Sequence, residues 1–551
     1  MEKLGNEIVV GKTTRTICQN VDYVSLGKEG YTIKTEGKDL LLAANNQRGS
    51  LYVVYTYLEK LGFRFFTQDV EKIPDLKAVF VAKDLNETYI PTLEYRDVNS
   101  AREPIQCLRL KINSAFAREE LSREKKYGGT VRYAAGDRGM VHTIRYLLPE
   151  SLLTEHPEYF ALYNGKRQAG QWGNACFTNE EALEVVKANA LSWMALDSTV
   201  DYISISQNDG LCYCQCDNCE ESYKIYGQTG TMLKFVNEVA KVVGEQYPNV
   251  EVEFISYNET YELPKGGIKP LDNVTVRVCS PHCLTHLTGD CECKELQKAK
   301  ERLVGWKEIS KEIQCYGYLS NCYNIMTVFP VVNTLYDAMK VFFDADIKGA
   351  FLEGGLATSG EFGALRAYLL SKLMWNPAMP RAEFDYHLND FLSAYYGEGW
   401  KYIREYIDYT EETVVGYTRE QLKKGNSALN HTFVGEDINF FPVYDDSADT
   451  YDFTMIGKWN DLWDKAENLA DENEIKRLQC SRIAPTYFEL YHTMTYQYKD
   501  KSKRESLVER NKNLYKTMLQ NNVTRKAEKV YIKNNIIDFE LPPKYWEETR
   551  N

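Results

Sequence analysis

Tyr202-Ile203-Ser204-Ile205-Ser206 runs into Gln207-Asn208-Asp209-Gly210, and some forty residues later Val252-Glu253-Phe254-Ile255-Ser256-Tyr257 runs into Asn258-Glu259. Both are short apolar runs of strand length that end in polar groups. Between them, 231–247 carries Leu233, Val236, Val239, Ala240 and Val243 at three- and four-residue spacings, which is one face of a helix. Strand, helix, strand in that order predicts two parallel strands joined by a crossover.

Working outward, the same alternation extends over 92–378. Further strand-length runs lie at 93–98, 175–178, 274–279, 313–318 and 349–353, and an eighth strand is expected at 140–144. Helical stripes lie at 181–196, 294–312, 331–343 and 362–375. About eight βα units in about 285 residues predict an α/β fold of the (β/α)8 TIM-like barrel type rather than an open doubly wound sheet. No Gly-x-Gly-x-x-Gly opens a helix and no Gly-x-x-x-x-Gly-Lys occurs, which argues against dinucleotide and P-loop sites.

Residues 1–91 read as a small α/β accessory domain. Strand-like runs lie at 7–10, 31–34, 40–43, 63–66 and 79–81, and a helix runs from Arg48-Gly49-Ser50 through Leu51, Val54, Tyr55 and Leu58 to Gly62. From 379 to 551 strand signals nearly vanish. Amphipathic stretches at 384–396, 401–415, 455–468, 475–498 and 507–519 predict an α-helical C-terminal domain.

Composition narrows the function classes. Among 551 residues, 44% are apolar and 26% charged, which fits a folded globular chain. A net charge of −13 argues against a nucleic-acid partner, because phosphate binding needs clustered Lys and Arg. No run of 18 apolar residues is present, so no membrane insertion is expected. Met1-Glu2-Lys3-Leu4-Gly5-Asn6-Glu7 has no apolar signal-peptide core. That start reads as a cytoplasmic protein, or as an extracytoplasmic one whose leader has been removed. Aromatic residues reach 13%, which suits either a sugar-binding cleft or a Tyr-rich core.

In a (β/α)8 barrel the C-terminal strand ends carry the chemistry. Asn208 and Asp209 follow one strand, and Tyr257 and Glu259 the next. Tyr316, Tyr318 and Asn321 end another, Glu353 precedes Gly354-Gly355, and His142 falls on the expected 140–144 strand. Several carboxylates and phenols thus converge on one mouth. Glycoside hydrolysis needs such a pair, one carboxyl to protonate the leaving oxygen and one to attack or stabilise the anomeric carbon. Asp209 is read as the general acid/base and Glu353 as the nucleophile. The plainer readings are an Asx turn at Asp209, a structural histidine at 142, and, for Glu353, a buried carboxylate that needs a partner.

Fourteen cysteines include two tight groups, Cys212, Cys214, Cys216 and Cys219, then Cys279, Cys283, Cys291 and Cys293. Cys216-x-x-Cys219 is a zinc half-site to which Cys214 could add a third ligand, with the second group or His282 supplying the rest. Such a zinc would be structural. Buried reduced thiols or local bridges are the alternative.

Several motifs in order resemble a known family: Gly139-Met140-Val141-His142-Thr143, Glu155-His156-Pro157-Glu158-Tyr159-Phe160-Ala161-Leu162, Cys176-Phe177-Thr178-Asn179, and Ile205-Ser206-Gln207-Asn208-Asp209-Gly210 with its Cys-x-Cys-x-x-Cys. The series continues with Phe351-Leu352-Glu353-Gly354 and with Arg366-Ala367-Tyr368-Leu369-Leu370-Ser371-Lys372-Leu373-Met374-Trp375-Asn376-Pro377. The family is one long labelled a domain of unknown function. It is similar to glycoside hydrolase family 163, whose characterised members are retaining endo-β-N-acetylglucosaminidases acting on complex N-glycans. Arg48-Gly49-Ser50-Leu51-Tyr52 resembles the accessory domain that precedes α-glucuronidase and hexosaminidase barrels. The resemblance covers roughly residues 1–395.

It implies a retaining β-glycosidase that acts on N-acetylhexosamine-containing oligosaccharides or glycoconjugates and requires no cofactor. His142, Asn179, Asn208, Tyr257, Glu259, Tyr316, Tyr318 and Asn321 are the expected substrate-binding residues. A non-catalytic glycan-binding protein on a degenerate barrel, or a zinc-dependent hydrolase with an open coordination position near Asp209 or His142, are the rival readings.

Overall fold

The computed structural model describes residues 6–114, 125–279, 294–320, 326–354, 361–423, 444–445, 450–451, 453–497, 501–521, 523, 525–527 and 530–531. In chain order its first fourteen strands are β1 (Ile8–Val10), β2 (Tyr31–Glu36), β3 (Asp39–Ala44), β4 (Arg64–Phe65), β5 (Glu71–Lys72), β6 (Asn86–Tyr89), β7 (Tyr95–Val98), β8 (Ala161–Tyr163), β9 (Lys166–Gln168), β10 (Tyr202–Ser204), β11 (Glu251–Ser256), β12 (Val274–Cys279), β13 (Ile313–Tyr318) and β14 (Gly349–Glu353).

Six of these form one curled sheet in the order β10-β11-β12-β13-β14-β7, every pair parallel. All residues of β7, β12 and β14 are buried, as a parallel sheet covered on both faces requires. Helices Glu180–Leu196, Asp217–Gln246, Lys294–Ile309, Leu335–Asp344 and Gly363–Trp375 supply crossovers and cover.

Two expected strands are absent. Residues 140–144 turn into the short helix Ile144–Leu147, and 175–178 makes a single bridge, Phe160 to Ala175, before a helix begins. Shorter segments span the space between β7 and β10. Asn113 N–H donates to Arg96 O, Val131 N–H to Asn113 O, and Ala134 N–H to Tyr202 O. These segments stay irregular because side chains replace ladder bonds: Asn113 Oδ1 accepts Arg96 N–H at 2.8 Å. Among the described residues, six regular strands therefore stand in this sheet where eight were expected.

Alternation along the strands sends every second side chain inward. One inward layer is polar. Arg277 Nε meets Glu253 Oε2 at 2.6 Å, and both side chains are 0% exposed. Arg277 also donates to Tyr133 Oη and Gln314 Oε1, and Gln314 donates to Tyr202 Oη. Gly349 makes room for this layer, since a Cβ there would stand 2.8 Å from Gln314 Cδ. Above it, Cys279, Tyr316 and Phe351 share a register, and one step higher Tyr318 pairs with Glu353. The layering thus lifts Tyr318 and Glu353 to the C-terminal mouth.

The N-terminal sheet has the order β1-β3-β2-β6 and packs on helix Gln47–Lys60, which Asn46 caps by accepting Gly49 N–H. The expected strand at 79–81 is instead exposed loop, with Phe80 91% accessible. The edge is the polar β6, which pairs with β2. An apolar triplet without a sheet edge to pair with does not make a strand. Buried Glu29 ties this part to the sheet through Arg48 and Arg96.

Downstream, helices Arg381–Tyr396, Trp400–Lys423, Thr454–Glu467, Glu472–Ser481, Ile483–Gln497 and Lys501–Gln520 follow. The single helix expected at 475–498 is two, joined at Arg482. Pro485 explains the break, because it has no N–H to continue the first helix but is tolerated in the opening turn of the second. One hydrophobic core runs from Tyr52 to Phe488, through all three expected domains.

Candidate active site

Glu353 is the last residue of β14 and only 7% exposed. A carboxylate in such a place needs partners, and Tyr316 Oη, from the adjacent strand, donates to its Oε1. The glycine after it is required by packing. Gly354 N–H donates to Asn99 Oδ1 at 3.0 Å, and a Cβ would stand 2.7 Å from Ser100 Oγ. The end of β14 is thereby fixed against the end of β7.

Asp209 sits on the loop after β10. Tyr257 Oη donates to its Oδ1 at 3.0 Å, and His142 Nε2 lies 3.9 Å from the same oxygen. The loop is anchored on both sides. Gln207 Nε2 donates to Tyr257 O and Thr260 Oγ1. Asn208 N–H donates to Asn174 Oδ1, its side-chain amide donates to Gly170 O and Gly173 O, and its Oδ1 accepts Arg145 N–H. His142 adopts φ 56°, in the left-handed region. Its Nδ1 meets Gln207 O at 2.9 Å. A carbonyl can only accept, so Nδ1 carries a proton and Nε2 is the nitrogen turned to Asp209.

Phenols stand beside both carboxylates. Tyr316 and Tyr318 lie 5.1 Å apart by ring centroid, and Tyr316 packs on Phe351. Burial, then the Asp209 charge, holds the Tyr257 hydroxyl well above its ordinary pKa. Burial, followed by Cys279, Tyr316 and Glu353, does the same for Tyr318. Both phenols therefore remain hydrogen-bond donors.

Glu259 lies in the turn Asn258–Thr260 beyond β11. Burial pushes its carboxyl up to about 7. Neither of its oxygens has a hydrogen-bond partner among the described residues. Its charge bears on the buried thiol of Cys212.

Of the expected site residues, Asp209, His142 and Tyr257 come together, as do Glu353, Tyr316 and Tyr318. Asn208 is spent on the loop backbone. Asn179, expected to touch substrate, instead caps helix Glu180–Leu196 by accepting Ala182 N–H at 2.7 Å. Asn321 and His282 lie outside the described residues. Trp172, which the sequence reading did not single out, is 58% exposed, and its backbone runs against the loop that follows Asp209. Its carbonyl packs so tightly on Gly210 that a Cβ there would stand 2.3 Å away. The signal was present: a tryptophan between Gly170 and Gly173 in a polar stretch is poorly placed for a core.

Cys214, Cys216 and Cys219 do converge, but the fourth member of the group is Cys176. Cys279, from the second sequence group, is buried in the sheet interior below Glu353. A cavity of about 320 Å³ lies at the opposite end of the sheet, lined among others by Lys28, Arg48, Glu94, Asp201 and Glu251. It is remote from the carboxylate mouth and belongs to the junction with the N-terminal sheet.

Fold and site together define a mixed α/β protein with a curled parallel sheet and acidic groups at its C-terminal mouth. Residues 65–408 match the family described as "Domain of unknown function (DUF4838)", and the chain belongs to that family. No curated protein matches it in sequence. Among solved structures it is similar to one described as "A novel family GH115 4-O-Methyl-alpha-glucuronidase, BtGH115A, with specificity for decorated arabinogalactans". The identity is 12%, the match covers 96% of this chain and 75% of that one, and the TM-score is 0.60. A second, "Structure of CpGH84B", matches at 12% identity over 92% of this chain and 84% of that one, with a TM-score of 0.40. At such identities the first likeness is one of fold, and the second carries no weight.

Proposed function

We propose that this protein is a glycoside hydrolase in which Asp209 and Glu353 are the working carboxylates, on a variant (β/α)8 barrel with two irregular strand positions. The observation that carries the proposal is the arrangement at the mouth. One carboxyl ends β14 and the other lies on the loop after β10 of the same parallel sheet, each held by a tyrosine hydroxyl, Tyr257 on Asp209 and Tyr316 on Glu353. The fold shared with a structure described as an α-glucuronidase supports the reaction class.

Glu353 is the more buried and the more rigidly held, which suits a group that must attack one carbon in one direction. Asp209 is partly open to solvent and has His142 beside it, which suits proton exchange with a leaving group and then with water. The reaction is a double displacement. Glu353 bonds to the anomeric carbon as the glycosidic bond breaks, and Asp209 gives its proton to the departing oxygen. Asp209 then takes a proton from water, whose oxygen displaces Glu353. Trp172 and the tyrosines offer flat faces and hydroxyls to the sugar. The motif resemblance favours β-linked N-acetylhexosamine-containing glycans and endo cleavage.

One observation favours a different acid. Glu259, pushed up to about 7, keeps part of its population protonated near neutral pH, as a general acid requires. Screening β-glycosides and released N-glycans by product mass, with wild type, Asp209→Asn and Glu259→Gln side by side, tests both. Hydrolysis that survives Glu259→Gln and fails in Asp209→Asn on unactivated glycans supports the assignment. The reverse pattern moves the acid to Glu259, and no cleavage of any glycan by wild type removes the hydrolase reading.

A further inference from the structure

Two cysteines from the loop after β10, one from the first turn of helix Asp217–Gln246 and one from the segment before helix Glu180–Leu196 meet at one point. The sulfurs of Cys176, Cys214, Cys216 and Cys219 all lie within 4.8 Å of one another, and three of the four residues are buried. Cys176 Sγ is 3.7 Å from both Cys216 Sγ and Cys219 Sγ. A disulfide needs about 2.05 Å, and all four cysteines are free. A tetrahedral zinc site with Zn–S bonds of about 2.3 Å has sulfur–sulfur edges of about 3.8 Å. The spacing fits one ion at the centre.

The surroundings suit thiolates. Leu162 N–H donates to Cys214 Sγ at 3.3 Å, and Thr178 Oγ1 lies 3.1 Å from Cys219 Sγ. Arg167 Nη1 approaches Cys214 Sγ at 3.9 Å, so a cation stands beside a group that would carry net negative charge. Cys216 is the N-cap of helix Asp217–Gln246 and Cys219 lies in its first turn, where the helix dipole favours anions. Donors aimed at ligand atoms are what a metal site requires of its surroundings.

We propose that Cys176, Cys214, Cys216 and Cys219 bind a single zinc ion as four thiolates, a structural site that fastens the loop after β10 and the start of helix Asp217–Gln246 to the segment before helix Glu180–Leu196. On binding, four thiols release four protons to solvent and form four Zn–S bonds, with no change of oxidation state. Four sulfurs fill the tetrahedron, so no position is left open for a hydrolytic water. Hairpin β8–β9 is tied to the same loop beside the site: Gln215 N–H donates to Leu162 O at 2.7 Å, and Asn164 N–H to Gln215 Oε1 at 2.9 Å. The ion would hold the loop bearing Asp209 and Gly210 from the side away from the mouth.

Metal content decides this without reference to activity, so it stands or falls apart from the hydrolase reading. The full chain, purified without chelator, is measured by elemental mass spectrometry and by zinc release with a mercurial thiol reagent. One zinc per chain is expected, falling on the order of tenfold in Cys176→Ser and in Cys216→Ser, and unchanged in Cys212→Ser, whose thiol lies outside the group. Should the serine variants not fold, wild type dialysed against a strong zinc chelator supplies the second readout. Its melting temperature should drop and return with zinc but not with magnesium. Substoichiometric zinc in wild type with four titratable thiols, a disulfide found by mass, iron in place of zinc, or zinc retained in Cys176→Ser overturns the proposal.

Discussion

Glu353 and Asp209 sit in different surroundings, and substitutions should separate them. In Glu353→Gln the amide is nearly isosteric and can still accept from Tyr316, so the fold and glycan binding should persist. Turnover should fall by about 10³-fold or more for every substrate, because the amide cannot form the covalent intermediate. Asp209→Asn should slow unactivated glycans by roughly 10²–10⁴-fold but activated aryl glycosides far less, since only poor leaving groups need protonation. Equal losses on all leaving groups would refute this division of roles.

Glu259 makes a prediction about stability. Its folded pKa of about 7 exceeds the ordinary 4.5, so the folded state holds the extra proton between those values. Its contribution is complete below about pH 4.5 and is lost as pH rises through 7. Glu259→Gln should therefore gain on wild type as pH rises from 5 to 8, by roughly 2–3 kcal/mol, read from denaturant midpoints across pH. A wild-type-minus-variant difference that is flat with pH would show that the carboxyl is not desolvated. The strand-end carboxylates and tyrosines were legible in the sequence because alternation and strand length place them. Asn179 and Asn208 were not, because whether an amide caps, braces or binds depends on which backbone comes near it.

At the level of elements, β7 and β10–β14 were each legible as runs of strand length, and burial on both faces makes most of them largely apolar. The segments 140–144 and 175–178 carry a similar local signal but lie where turns and a helix cap claim the backbone. Nor did the sequence reveal the inward polar layer, because Arg277 and Glu253 look like ordinary charges within apolar strands until they face each other. That layer is a testable brace. Arg277→Met would leave Glu253 buried without its cation, at a cost of about 3–5 kcal/mol, seen as a lower denaturant midpoint. Combining Arg277→Met with Glu253→Gln should recover much of the loss. A single variant as stable as wild type would mean that water reaches Glu253.

Across the whole molecule, changes of periodicity suggest three parts in the sequence, whereas the one core that runs through them was not readable there. Phe362 stacks on Trp463 and packs with Tyr406, joining the sheet's cover to the downstream helices. Trp375 does the same toward Tyr31 and Tyr52 of the N-terminal part. Such contacts link residues far apart in sequence and leave no local pattern. The most direct measurement is proton NMR of the first product formed when wild type cleaves its best β-glycoside from the screen. The β-anomer should appear first and mutarotate slowly to the equilibrium mixture, with no product from Glu353→Gln. The α-anomer appearing first, or an active Glu353→Gln, would contradict a nucleophilic Glu353 paired with an acidic Asp209.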